Sequence, residues 1–255
     1  MLHNKRLPIK SKIAAGFALI ALIATAATAV AATAKDEKSA AAKAAAASPA
    51  AANTPEVVKG QGFADNSAES IKMRSGSGNP AAGKDKSALC QGCHGEEGIS
   101  FEPAIPKLAG QYAGYIGKQV RDFQTGYRSN AIMNGMAATV DDADLADITA
   151  YFASRNKMKG EASGNPLGKN LFQNGDMTRM MVACVNCHGV NGKGKTPDNS
   201  MFPVLGGQQK EYLRIQLVNF RQGERANSPG GVMNIVAQKL TDAEIEALAD
   251  YISGL

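Results

Sequence analysis

Cys90-Gln-Gly-Cys-His-Gly95 returns 94 residues later as Cys184-Val-Asn-Cys-His-Gly189, and the reading of the whole chain grows out of that repetition. Pro106-Lys-Leu-Ala-Gly-Gln111 returns as Pro203-Val-Leu-Gly-Gly-Gln208 at an offset of 97. Tyr115, Gln119, Phe123, Gly126, Arg128 and Asn130 then recur as Tyr212, Gln216, Phe220, Gly223, Arg225 and Asn227. Met133-Asn134 recurs as Met233-Asn234, and Asp142 to Tyr151 matches Asp242 to Tyr251, both at an offset of 100. Two homologous units therefore stand in tandem, with the offset growing by three residues in each of two loops. The expected domains are 79–160 and 161–255.

Within each unit the apolar period is helical. Val140, Leu145, Ile148, Tyr151 and Phe152 form one stripe behind an acidic start at Asp141, Asp142, Asp144 and Asp147, which suits the positive end of a helix dipole. Leu240, Ile245, Leu248, Tyr251 and Ile252 repeat it after Thr241-Asp242. Tyr115 to Phe123 and Tyr212 to Phe220 read as further helices that stop at Gly126 and Gly223. No alternating pattern bounded by hairpin turns appears, so the expected fold is all-α.

Cys-x-x-Cys-His fits covalent haem attachment: two thiols one turn apart for the two vinyl groups, with the adjoining imidazole placed under the iron. Cys90, Cys93, Cys184 and Cys187 are the attachment candidates, and His94 and His188 the iron ligands. Zinc would need two Cys pairs close together, whereas each pair here lies in its own repeat. A redox dithiol expects a parallel-sheet context and has no use for the trailing His. Two covalently bound haem c groups are the expected cofactors, and they fill units whose cores are otherwise thin, with no Trp and 5% aromatic residues.

The sixth ligand separates a carrier from a catalyst. The chain has three His, of which His3 lies in the leader, so paired His ligation is excluded. Among ten Met, the repeat aligns Met133 with Met233, each seven residues before the first apolar residue of the last helix. Met136 aligns with Val236, which cannot ligate, and is expected to pack. Met ligation at both irons suits electron transfer without substrate chemistry, so no catalytic residue is assigned.

Ahead of the repeats, Met1 to Lys12 is basic and Ile13 to Ala34 runs 22 residues without a charge. That is the pattern of an export signal, with small-residue cleavage patterns ending at Ala26, Ala29 and Ala34. At about 1.5 Å per residue the same stretch reaches about 33 Å, long enough to anchor in a membrane through residues 13–34. Both readings put the repeats outside the cytoplasm. Residues 35–78 read as a disordered, low-complexity linker.

Charge narrows the partners. The 28 Lys and Arg include four in residues 1–34, leaving 24 against 23 Asp and Glu. A basic footprint for nucleic acid is excluded. Residues 61–160 and 161–255 each have zero formal charge, which favours weak, partly apolar redox docking over long-range steering.

From about Asn79 to Leu255 the sequence resembles the dihaem cytochrome c4 family, a tandem of class I cytochrome c domains. The resemblance rests on Cys90-Gln-Gly-Cys-His-Gly95, Pro106-Lys-Leu-Ala-Gly-Gln111, Met133 and Leu145-Ala-Asp-Ile-Thr-Ala-Tyr-Phe152 in the first half. In the second half it rests on Cys184-Val-Asn-Cys-His188, Leu205-Gly-Gly-Gln208, Met233 and Leu240-Thr-Asp242. It implies a pseudo-symmetric pair of helical haem domains, soluble in the periplasm or tethered to the inner membrane. The pair would carry electrons between a quinol-oxidising complex and a terminal oxidase. It further implies that the Pro106 and Pro203 carbonyls hold the axial His rings. A haem enzyme such as a dihaem peroxidase, or a fixed subunit of a respiratory assembly, are the alternatives. The extra residues around Phe172 to Met181, before the second haem motif, have no role legible in the sequence.

Overall fold

The computed structural model describes residues 66–162, 164–195 and 201–255, all within one compact unit. Each repeat is built around the crossing of a short helix that precedes its Cys motif with its last helix. In the first repeat α1 (Ala68–Ser75), α2 (Pro80–Lys86), α3 (Ala88–His94), α4 (Ala113–Gln124), α5 (Ala131–Ala137) and α6 (Asp142–Ser154) follow one another. The second has α7 (Pro166–Asn174), α8 (Val185–His188), α9 (Lys210–Gln222), α10 (Val232–Ala237) and α11 (Asp242–Ser253). Among the described residues there is no strand, only an isolated antiparallel bridge between Asp176 and Met181. The all-α, two-unit expectation holds.

Local chemistry sets the helix ends. Asn79 and Asn165 cap α2 and α7, and each is followed by a Pro whose missing N–H belongs at a first helical position. Asp141 accepts from the Asp144 N–H at the start of α6. Thr241 and Glu244 form a reciprocal capping box on α11. Gly223 ends α9 in the left-handed conformation read from the sequence, and Gly126 (φ 74°) lies one residue past the Thr125 cap of α4.

The last helix of each repeat carries the apolar stripe inward. Leu145, Ile148, Tyr151 and Phe152 are buried on α6, and Ile245, Leu248, Tyr251 and Ile252 on α11. Packing α2 on α6 requires glycine at the crossing. A Cβ on Gly83 would sit 1.9 Å from the Asp147 carbonyl oxygen and 2.9 Å from Tyr151 Cβ. Gly168 meets the Ala247 carbonyl oxygen and Tyr251 Cβ on α11 in the same way, at 2.0 and 2.8 Å. α2 and α7 thus use one device, a backbone-to-backbone approach that any side chain would wedge apart.

Two sequence expectations change here. Residues 35–78 were expected to be a disordered linker, but Ala68–Ser75 forms α1, capped by Ser67 and packed on α6. The anchor is Arg74, 2% exposed, whose guanidinium donates to the Ala153 carbonyl at 2.6 Å and the Arg155 carbonyl at 2.8 Å. Those carbonyls close the carboxyl end of α6, where a cation is favoured. The pull of α1 is polar, so no apolar period announces it. The segment around Phe172 to Met181 now has a place. Leu171, Phe172 and Met181 enter the second core, and Arg179 donates to both carboxylate oxygens of Glu244 on α11. Residues 1–34 and the linker up to residue 65 lie outside the described residues. Among the described residues no helix is long and apolar enough to cross a membrane.

The repeats meet about a pseudo-twofold. Arg128 donates to Gln119 Oε1 of its own repeat and to Tyr212 Oη and Gln216 Oε1 of the other, at 2.7, 3.0 and 2.9 Å. Arg225 donates to Gln216 Oε1, Tyr115 Oη and Gln119 Oε1 at 2.8, 3.1 and 3.1 Å. The two guanidinium groups also stack on equivalent rings, Phe123 and Phe220. The symmetry is incomplete, and one departure lies beside the arginines. Asn227 donates across the contact to Gln119 and Asp122, whereas its counterpart Asn130 caps α5.

Candidate functional site

In each repeat the two Cys are three residues apart, so their thiols lie one helical turn apart on the same side. α3 carries Cys90, Cys93 and His94, and α8 carries Cys187 and His188 with Cys184 as its cap residue. Each helix stops at the His because the next residue is a glycine with positive φ, Gly95 at 84° and Gly189 at 81°. A Cβ on either would lie 2.3 Å from a carbonyl oxygen, of Ile99 or of Gly194. The turn that follows the His therefore folds directly back beneath it.

The return strand is pinned from below. The Gly98 carbonyl accepts from the Leu108 and Ala109 N–H groups at 2.8 and 3.0 Å, and the Gly192 carbonyl from Leu205 and Gly206 at 2.7 and 2.9 Å. This places the Pro106 carbonyl 2.8 Å from His94 Nδ1 and the Pro203 carbonyl 2.9 Å from His188 Nδ1. A carbonyl only accepts, so each Nδ1 carries the proton and each Nε2 keeps its lone pair. Both rings are buried, and burial holds them below the usual His range against the smaller opposing effect of the carbonyl. A neutral imidazole with a fixed ring and a free Nε2 is the form that binds a metal.

Burial acts on one thiol of each pair. All four Cys are free. Burial pushes the Cys90 thiol up and the Cys184 thiol to about 11, so neither is a thiolate at neutral pH. That disfavours a redox dithiol, whose attacking sulfur needs a lowered value. Among the described residues no group of three His, Cys, Asp or Glu converges closely enough to hold a metal ion, so the pairs are not assembled as zinc ligands. What the residues do fit is haem c: two thiols one turn apart, an oriented imidazole beside them, and a tight turn closing underneath.

The two aligned Met stand on the short helices that follow α4 and α9. Asn130 caps α5 by accepting from the Ile132 and Met133 N–H groups, and Ser228 Oγ accepts from the Met233 N–H on α10. Both Met are half-buried. A cavity of about 60 Å³ beside Cys90 is bordered by Met136, Val140 and Ile148, and not by Met133. Val236, aligned with Met136, packs on the second core. Met136 thus borders a cavity in the first repeat where Val236 packs on the core of the second.

Sequence reasoning quoted Gln111 and Gln208 as part of the repeat but gave them no role. Both are buried, and each side chain bonds to the backbone of the opposite repeat immediately after the His-bonded proline. Their recurrence at an offset of 97 was the available signal.

With this geometry in hand, comparison with known proteins is unambiguous. The cytochrome c family profile matches residues 80–156 and 167–255. Cytochrome c4 of Pseudomonas aeruginosa is 42% identical over 181 residues, covering 70% of this chain and 89% of that protein. The crystal structure of reduced recombinant cytochrome c4 from Pseudomonas stutzeri superposes with a TM-score of 0.66 at 40% identity, covering 70% of this chain and all of that one. A protein of Stutzerimonas stutzeri named thiosulfate dehydrogenase electron acceptor is 36% identical, over 71% of this chain and 82% of its own length. Both repeats are cytochrome c domains, and the chain belongs to the dihaem cytochrome c4 family. It is an electron-transfer cytochrome with two covalently bound haem c groups, attached through the motifs at Cys90/Cys93 and Cys184/Cys187.

Proposed function

We propose that this chain shuttles single electrons in the periplasm, from a quinol-oxidising cytochrome complex to a terminal oxidase, and performs no substrate chemistry. Haem c, when bound, supplies the one-electron couple. Cys90, Cys93, Cys184 and Cys187 fix it covalently, and His94 and His188 present Nε2 while the Pro106 and Pro203 carbonyls hold Nδ1. Met133 and Met233 would each supply the second protein ligand to an iron, and Met136 would pack. The observation that carries this reading is the duplicated His–Pro arrangement, paired in both repeats with a Met at the same register. An enzyme such as a peroxidase needs an iron with an open position, and a Met in each repeat argues against one. The basic leader and its uncharged stretch support export, with residues 13–34 either removed or kept as an anchor.

A second donor deserves a test because relatives carry the name thiosulfate dehydrogenase electron acceptor, one of them in Thiomonas intermedia at 33% identity. Under that reading the same two haems accept electrons from a sulfur-compound dehydrogenase.

Mass spectrometry of the exported protein should show two haems on one chain, with an amino terminus near residue 35 or at the basic leader. Replacing Cys90 and Cys93 with Ala should remove one haem and unfold that repeat, and two haems still attached would overturn the assignment. Reduction by a purified quinol-oxidising complex, followed by reoxidation on oxidase-containing membranes, is expected at rates well above those of a thiosulfate dehydrogenase. The reverse order would move the chain to the second reading.

A further inference from the structure

The peptide group between Pro106 and Lys107 is engaged at both ends. Its carbonyl accepts from His94 Nδ1 at 2.8 Å, while its N–H donates to Gln208 Oε1 of the other repeat at 2.7 Å. Gln208 Nε2 completes a two-point clasp by donating to the Lys107 carbonyl at 2.9 Å. The arrangement is mirrored. The Pro203–Val204 peptide accepts from His188 Nδ1 at 2.9 Å and donates to Gln111 Oε1 at 2.9 Å, and Gln111 Nε2 donates to the Val204 carbonyl at 2.8 Å.

The orientation of each amide is fixed by its neighbours. Gln111 Oε1 also accepts from the Tyr112 N–H at 3.1 Å, and Gln208 Oε1 from the Gln209 N–H at 2.9 Å. With two N–H groups facing the oxygen and a carbonyl facing the nitrogen, a flipped amide would lose all three bonds. Both side chains are 4% exposed, so water does not compete for these bonds.

We infer that Gln111 and Gln208 are positioning residues that tune, each across the domain contact, the reduction potential of the haem in the opposite repeat. This rests on the reading of His94 and His188 as axial ligands. Hydrogen bonds in a chain polarise one another, so an amide that donates at its N–H accepts more strongly at its oxygen. The clasp by Gln208 therefore strengthens the bond from Pro106 to His94 Nδ1–H. The imidazole gains basicity, donates more to the iron through Nε2, and favours the oxidised state. Gln111 does the same for His188. Contact between the repeats is in this way part of the ligand environment of both irons.

The test uses the full-length holoprotein and resolves the two haems by NMR-monitored redox titration. Gln208→Leu should raise the midpoint of the haem on Cys90 and Cys93, leave that on Cys184 and Cys187 nearly in place, and weaken the His94 Nδ1 hydrogen bond seen in the ring-proton shift. Gln111→Leu should reverse the assignment. Gln208→Glu keeps an oxygen toward the Lys107 N–H in either protonation state and should not raise the midpoint. Equal shifts at both haems, a shift confined to the repeat bearing the substitution, no shift, or a rise with Glu matching that with Leu would each overturn the inference. If the Leu variants yield no holoprotein, hydrogen exchange of wild type decides. Slow exchange at the Lys107 and Val204 amides supports the clasp, and rapid exchange at both overturns it. Failure of the ligand assignment is separable, because His94 and His188 ring protons would then lack hyperfine shifts in oxidised wild type.

Discussion

At the scale of single residues the two Met of the first repeat make opposite predictions. Met136 borders the small cavity beside Cys90 and corresponds to the packed Val236, so Met136→Leu is a volume-conserving change expected to cost under about 1.5 kcal/mol. It should keep the sulfur-to-iron absorption of both haems. Met133→Leu should remove about half of that absorption, lower the potential of one haem, and admit small ligands such as cyanide to its iron. Visible spectroscopy of the oxidised variants, with and without cyanide, checks both. An open site in Met136→Leu with an intact spectrum in Met133→Leu would exchange the two roles. At this scale the motif residues were legible because their chemistry is local: Cys-x-x-Cys-His states its own purpose. Gln111 and Gln208 were not, because a glutamine's partners are backbone atoms 93 to 101 residues away in sequence, and nothing in its neighbours names them.

Among the elements, the stripes on α4, α6, α9 and α11 were readable since each buries apolar residues at helical spacing. α2 was not, because glycine and alanine on its buried side leave no apolar period in seven residues, and in α7 the apolar set is only Leu167, Leu171 and Phe172 around the crossing Gly168. α1 escaped for the reason given by Arg74, whose attachment is polar. The segment before the second motif is likewise held by charge. The Thr178 hydroxyl donates to Asp176 at 2.6 Å and Arg179 donates to it at 2.7 Å, together holding Asp176 down at about 2, while Arg179 donates to Glu244 at 2.6 Å and holds it below its usual range. Carboxylates lowered in the folded state add stability above their unfolded values near 3.8 and 4.5, and that stability is lost as pH falls toward about 2. Denaturant unfolding of the second repeat should therefore weaken between pH 5 and pH 3. Arg179→Met should be less stable at pH 5 and show a flatter fall. An unchanged slope in the variant would show that these carboxylates do not set acid sensitivity.

For the whole molecule the contact between repeats predicts unequal arginines. Arg225 is buried and bonds to Tyr115, Gln119, Gln216 and Asn227, while the half-buried Arg128 reaches three partners. Arg225→Ala leaves the buried Asn227 Oδ1 without its donor, while Gln119 Oε1 keeps Arg128 and Asn227, and should cost about 3 kcal/mol, counting charge-assisted bonds at about 1.5–3 kcal/mol each before relaxation. Arg128→Ala should cost less. Calorimetry should show the Arg225 variant splitting one unfolding transition into two, and a loss in Arg128→Ala equal to or above that in Arg225→Ala would reverse the ranking. The repeat announced two homologous units and the family resemblance implied their pseudo-symmetric pairing, but neither announced the departure at Asn227. Two residues aligned in sequence took different work because only one of them faces the other domain.

The crossing of α2 on α6 and of α7 on α11 also fixes an order of assembly. α2 packs chiefly on α6 and α7 chiefly on α11, so neither is fully seated until that last helix has been made. A chain emerging amino end first completes the earlier pair at Ser154, before Pro166 appears. The first haem motif thus becomes enclosed while the second repeat is still arriving. The second stays open until α11 docks, so the two motifs wait over similar stretches of chain, and the second is enclosed only after the first has closed.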